Sequence, residues 1–390
     1  MGYLLSNPKF FLTKSIRACT LSVKQIDLKK REIRGGRMIA LLKGLKNICF
    51  DIVLYFLIIF TLTTSCEKDF SSLLDNTPDT TSHEFTWEAY EFGTIGSSLN
   101  DVFIISPDNI WAVGAIWVDP DTAYNVVHWN GEYWEMRKMM FDLNLAFPGG
   151  VGSDSGFGEG KTIYAFGPNE IILFAGTVQY YNGKKWKQFK GDLRIVESWG
   201  TSINNLYFCG REGLLLHFDG QNVQSIENSI NGNIIDITSV LNPFTNKRRI
   251  FCAVYNYSPI EDHGIIEILP DNSIKQFPWM PDVKIESIWF DYKNNFYACG
   301  GGAWYFKKNE WIKIPEIPQI YTRKVRANHE NDVFIVGDFG LICHYNGSSW
   351  CIYPSLLPNS SLLSLDVKGD TVVIVGSDGN HAFIIKGNRN

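Results

Sequence analysis

Two hydrophobicity patterns divide the chain. Residues 52–62, IVLYFLIIFTL, form one unbroken apolar run. From residue 85 onward the apolar stretches are short, β-branched and aromatic, and Gly, Asn, Asp and Pro punctuate them. One signature keeps returning there. DNIWAVG ends at Gly114, EIILFAG at Gly176, NNLYFCG at Gly210, NNFYACG at Gly300, NDVFIVG at Gly337 and DTVVIVG at Gly376. Three of these continue into a Gly-x-x-Gly turn (210–213, 337–340, 376–379) and then a further apolar run. Long amphipathic helical patterns are absent after residue 84, so the pattern predicts an all-β body.

A second motif sits at a fixed place in the same repeat. HWNGEYW (128–134), YYNGKKW (180–186) and HYNGSSW (344–350) end a strand in an aromatic pair, turn on Asn-Gly and open the next strand with Trp; HFDGQNV (217–223) is a variant. Asn-Gly supplies the positive φ angles of a tight hairpin. The Trp follows the Asn by four residues each time, and Trp311 follows Lys307 at the same offset. A fixed aromatic at a fixed turn lets successive sheets pack in the same way. The unit therefore reads as strand A, strand B ending in Gly, strand C ending at the turn, and strand D starting with Trp. Repeated four-stranded units are propeller blades. They fall at about 98–140, 160–190, 192–228, 234–279, 285–316, 323–355 and 362–390. The fourth lacks both the Gly and the Trp, and the seventh lacks strand D. FTWEAYEF at 85–92 carries Trp87 at the D-type position, so an N-terminal strand is expected to close the last blade. The expected fold is all-β: a single seven-bladed propeller over 85–390.

The N-terminus reads as an address. Lys43 and Lys46 precede the apolar run and TTSCEKD follows it at 63–69, the order of basic, hydrophobic and small residues in a secretory signal. The run is short against the ~20 residues of a spanning helix. Residues 38–65 are expected to be a signal peptide starting at Met38, residues 1–37 an upstream extension of the coding region, and residues 66–84 a polar tether. Of 36 basic and 41 acidic residues, eleven and three lie in 1–65; the remainder holds 25 and 38, a net charge of −13. That acidity argues against nucleic acid as a partner.

Catalytic signatures are sparse. No Gly-x-Ser-x-Gly, His-Glu-x-x-His or phosphate-loop motif occurs. His128, His217 and His344 share one strand-C position in different blades, too far apart for a common metal, and read as packing residues. No metal and no cofactor is expected. Cys209, Cys252 and Cys299 occupy strand-B core positions, whereas Cys343 and Cys351 flank one turn and form a candidate disulfide.

Long insertions mark a face. In an A–B–C–D blade the B–C loops and D–A connections share one face. The segments 115–125, 141–161 and 256–264 all fall there, against one long A–B loop, 242–249, opposite. Candidate contacts are Trp117, Asp119, Asp121 and Tyr124, then Asp154 and Glu159, then Tyr257, Glu261, Asp262 and His263.

The stretch NDVFIVGDFGLICHYNGSSW at 331–350 resembles the seven-bladed propellers of the photosystem II stability and assembly factor family and a broad set of bacterial lipoproteins. Their usual turn, Asp-Gly-Gly-x-x-Trp, is here Asn-Gly-x-x-Trp. LTTSC at 62–66 resembles a lipobox, with Thr63 where Leu is usual, which implies lipidation of Cys66. Taken together these imply an exported, lipid-anchored monomer at the outer membrane or cell surface of a Gram-negative bacterium, touching the membrane only through its anchor. It is expected to bind or scaffold an envelope protein or glycan. The alternative is a glycan-active hydrolase of sialidase-like propeller type. Carboxylates with an Arg at the channel mouth favour the hydrolase, and an aromatic or apolar surface favours binding.

Overall fold

The computed structural model describes residues 80–142, 145, 155–255, 264–279 and 283–390. Seven antiparallel four-stranded sheets follow one another along it. Their A strands are Ser98–Ser106, Thr162–Gly167, Ile195–Ser202, Asn233–Leu241, Ile285–Phe290, Thr322–His329 and Ser361–Lys368. Each A strand contacts the A strands of the blades before and after it, and the seventh contacts the first, so the ring is closed. The seventh blade takes its fourth strand from the N-terminal side: Phe85–Phe92 pairs antiparallel with Ala382–Arg389, from Phe85 opposite Arg389 to Phe92 opposite Ala382.

The core lies between blades. Seven clusters of buried apolar side chains each join two neighbouring sheets. Strand B shows why its sequence is continuously apolar. In blade 1, Ile110 and Ala112 face blade 7 while Trp111 and Val113 face blade 2. A strand buried on both faces has no polar side to show. The D-strand tryptophans repeat one packing relationship. Trp134, Trp186, Trp311, Trp350 and Trp87 each pack against the cluster shared with the preceding blade. The turn before them is capped by its own Asn. Asn130, Asn182 and Asn346 accept through Oδ1 from the backbone N–H groups two and three residues on, and Gly131, Gly183 and Gly347 take φ values of 96°, 81° and 93°.

Two expected loops differ. The segment 115–125 is a continuation of strands B and C of blade 1, Asn109–Asp119 and Thr122–Trp129, closed by a tight turn. At the ends of 141–161, Met140–Asp142 pairs with Ser155–Phe157 as a small two-stranded sheet, and 143–144 and 146–154 lie outside the described residues. Both expectations underweighted short alternating stretches beside Gly and Pro.

Candidate functional site

Six of the seven A strands carry a register irregularity near their start, at Leu99/Asp101, Ile195/Glu197, Ile234/Asp236, Ile285/Ser287, Thr322/Lys324 and Leu362/Ser364. A bulge shifts the side-chain parity of a strand. The residue after it, with Thr162 in blade 2, forms a layer of buried polar side chains at the channel. These groups tie blades together. Asp101 accepts from Ile163 N at 2.9 Å and from Ser364 Oγ at 2.9 Å. Thr162 Oγ1 donates to Glu197, and Ser287 Oγ donates to Asp236 at 2.6 Å. Lys324 reaches across to both Glu197 and Asp236, and Arg326 adds a second cation to Asp236 at 2.7 Å.

The ionisation of this layer follows its partners. Burial, reinforced by the charge of Glu197, raises the Asp101 carboxyl to about 7. Burial opposes the charge of Asp236 too, yet Arg326 and Lys324 hold it well below the usual carboxylate range. Burial disfavours the Lys324 ammonium, but Asp236, Glu197 and Asp101 keep its pKa raised. The channel thus holds carboxylates beside an Arg, and each of the three carboxylates is engaged in bonds that join blades. Among the described residues, no group of three or more His, Cys, Asp or Glu is placed to hold a metal ion.

Two mouths open on either side of this layer. On the B–C/D–A face a cavity of ≈ 880 Å³ spans blades 3 to 6. It is lined by Arg211, Glu212, Lys284, Glu286, Tyr321 and Arg323, among others. Tyr321 donates to Glu286 at 2.6 Å, and Arg323 forms a two-point pair with Asp338 at 2.9 and 3.1 Å. Burial raises the Glu286 carboxyl. Connectors of this same face carry exposed apolar side chains: Ile95 at 80%, Phe339 at 66%, Leu193 at 52% and Leu356 at 45%. Phe339 stands at φ 59°, a left-handed conformation uncommon for a bulky residue. The A–B face has a smaller mouth of ≈ 210 Å³, walled by Phe103, Tyr164, Trp199 and Trp289.

The sequence-predicted contacts are scattered. Trp117 lies on the B–C hairpin of blade 1, edge-on to Phe157 at 5.9 Å. Tyr124 packs against the blade 1/7 core, so it is a packing residue as placed. Asp119 and Asp121 are exposed at the hairpin tip, where Asp119 Oδ1 accepts from Asp121 N at 2.9 Å. Glu159 is held by Asn100 and Lys161. Asp154, Tyr257, Glu261, Asp262, His263 and Cys66 lie outside the described residues. The candidate disulfide is corrected. Cys343 and Cys351 are free thiols, because Cys343 pairs with Ile352 and His344 with Cys351, which sends the two sulfurs to opposite faces of the sheet.

Sequence reasoning missed the channel layer and underread the strand-C histidines. His128, His217 and His344 stack on Trp111, Tyr207 and Phe334, and their Nε2 atoms bond to Asn109, Asn205 and Asp332. That partner opens strand B in each blade, so the pair was visible as a repeated Asn or Asp before each aromatic.

No protein-family model matches the chain, and no curated protein matches it in sequence. Solved structures do match in fold. YCF48 bound to D1 peptide is similar with a TM-score of 0.56 at 13% identity, over 80% of this chain and 100% of that one. Virginiamycin B lyase from Staphylococcus aureus, in a catalytically inactive form with quinupristin, gives 0.57 at 10% identity, over 79% and 100%. The WD40 propeller domain of Doa1 gives 0.55 at 11%, over 77% and 97%. The chain is a seven-bladed β-propeller, and at these identities its likeness to YCF48 and the other solved structures is one of fold.

Proposed function

We propose that this protein is a lipid-anchored envelope propeller that docks a partner protein on its B–C/D–A face. The observation that carries the reading is the combination on that face of a wide charged mouth with exposed Ile95, Leu193, Phe339 and Leu356 around it. Apolar side chains held in water beside paired charges suit a partner that supplies both contacts. Two propellers of the same fold support a binding role by analogy: one is bound to a D1 peptide and one belongs to the WD40 class. The anchor rests on the sequence alone, on the apolar run at 52–62 followed by Cys66. The hydrolase reading draws on the carboxylates near Arg326, but Asp236 is already held by two cations and a hydroxyl.

Photo-crosslinking residues placed in cells at 193 and 339 test docking. A discrete adduct there, and none from positions 133 and 244 on the opposite face, supports the reading; adducts only from 133 and 244 contradict it. Cys66→Ser tests the anchor separately, and a variant that still partitions into detergent at unchanged mass removes it.

A further inference from the structure

The mouth on the A–B face is a second site of different chemistry. Two residues beyond the buried polar layer, successive A strands present aromatic rings: Phe103, Tyr164 and Trp199 from blades 1 to 3, and Trp289 from blade 5. Phe103 and Tyr164 meet at 4.9 Å and a tilt of 58°, so this side is an angled aromatic wall. The same positions in blades 4, 6 and 7 are Thr238, Arg326 and Asp366, so the three consecutive aromatics of blades 1 to 3 face a side that is polar except for Trp289. Asp366 accepts from Ile104 N at 2.7 Å and Val367 N at 2.9 Å, which fixes its carboxyl while leaving further lone pairs.

The space is small and its charges are matched. At ≈ 210 Å³ it falls below the ~300 Å³ of drug-sized sites and has room for one ring. Lys324 is paired with Glu197 and Arg326 with the buried Asp236, while burial raises the carboxyls of Asp101 and Asp366 toward their neutral forms. An ion would gain little from such a balanced set. A neutral ring with apolar faces and hydroxyl edges meets both walls: its C–H faces lie on the aromatics, and its hydroxyls reach Asp366, Arg326 and Thr238. We infer that the A–B mouth is a carbohydrate subsite taking a single neutral hexose ring. The blade 4 A–B loop that borders it ends in Arg248, whose guanidinium lies 5.4 Å from the Trp199 ring and whose NH1 donates to Ser239 at 2.8 Å. That places the one long connection of this face at the rim of the subsite.

The test is a titration of the full-length protein in detergent with methyl glucoside, methyl galactoside and N-acetylglucosamine, followed by tryptophan fluorescence and saturation-transfer NMR. Tetramethylammonium and acetate serve as charged probes. Saturable binding of at least one hexose is expected, weakened about tenfold by Trp289→Ala through lost stacking. Thr238→Val, which keeps shape and removes a hydroxyl, should weaken it as well and covers the case in which the Trp variant fails to fold. Phe339→Ser, on the opposite face, should leave it unchanged, so the result stands apart from partner docking. No hexose binding, binding of the charged probes alone, or hexose binding unchanged in the Thr238 and Trp289 variants overturns the subsite.

Discussion

Arg389 donates from Nη2 to both carboxylate oxygens of Asp332, each at 2.6 Å. Arg389 ends the last strand of the chain, and Asp332 opens strand B of the blade before it. The same carboxylate accepts from His344 Nε2 at 2.8 Å, and His344 Nδ1 lies 2.8 Å from Nδ1 of His83, just ahead of the closing strand. With Nε2 of His344 donating to Asp332, its Nδ1 accepts from His83. Both ends of the propeller segment are thus tied to blade 6 through one side-chain network. Hydrogen bonds from His344, Arg389 and Asn328 and the charge of Arg389 hold the Asp332 carboxyl down to about 2 against the effect of its burial.

Closure also depends on a glycine. Trp87 lies opposite Gly387, where an added Cβ would sit 2.4 Å from the indole ring. Gly387→Ala is expected to displace Trp87 from the blade 6/7 cluster and destabilise by about 2–3 kcal/mol, within the range of overpacked core sites. Arg389→Ala, which strands a buried carboxylate, should cost about 3 kcal/mol or more. Thermal melting of both variants checks this, and a chain starting at Gly93 should melt lower still.

The closure histidines and His128 set an acid limit. Burial lowers all three, joined at His83 by the charges of His344 and Arg389, at His344 by Arg389 against the pull of Asp332, and at His128 by Arg137; His128 falls to about 4. The unfolded chain therefore takes up these protons first, near 6.5. Their stabilising contribution is present above that pH and is lost as pH falls below it, for His128 down to about 4. His128→Asn should flatten the loss of melting temperature between pH 7 and 4.5 by the equivalent of about 1–2 kcal/mol, after allowance for solvent screening. An unchanged slope would show that His128 does not couple to folding.

The sequence exposed the blades more readily than the site. Strand B announces itself because burial on both faces demands an unbroken apolar run ending in Gly, as in Val333–Gly337. The Trp that opens strand D is equally plain. Even blade 4, lacking Gly and Trp, was legible from four separated strands. The channel layer was hidden because its members differ chemically and because bulges break the alternation that marks an inward side chain. A trace existed: an apolar residue, any residue, then a polar one, as in Leu99-Asn100-Asp101 and Ile234-Ile235-Asp236. The exposed Phe339 lay inside a turn read only for its glycines, and nothing in GDFG distinguishes a structural from a presented aromatic.

Phe339 separates docking from stability. Its left-handed backbone costs about 1 kcal/mol that glycine would not incur. Phe339→Gly is expected to raise the melting temperature while abolishing the crosslink from position 193. A loss of stability would mean that the ring packs in the folded protein after all.

The strand register forbids a Cys343–Cys351 bond without backbone movement. Intact-mass measurement after alkylation under non-reducing, denaturing conditions should show both thiols labelled, Cys351 faster in the native protein because Cys343 is fully buried.

Hydrogen exchange of the purified protein with and without the crosslinked partner tests the docking face most directly. Partner binding should slow exchange at the connectors 93–97, 192–194, 211–213, 338–341 and 353–360, which carry the exposed apolar residues and the rim of the charged mouth. The A–B turns, 242–247 among them, should be unaffected. Protection confined to those A–B turns, with none at 338–341, would contradict the account.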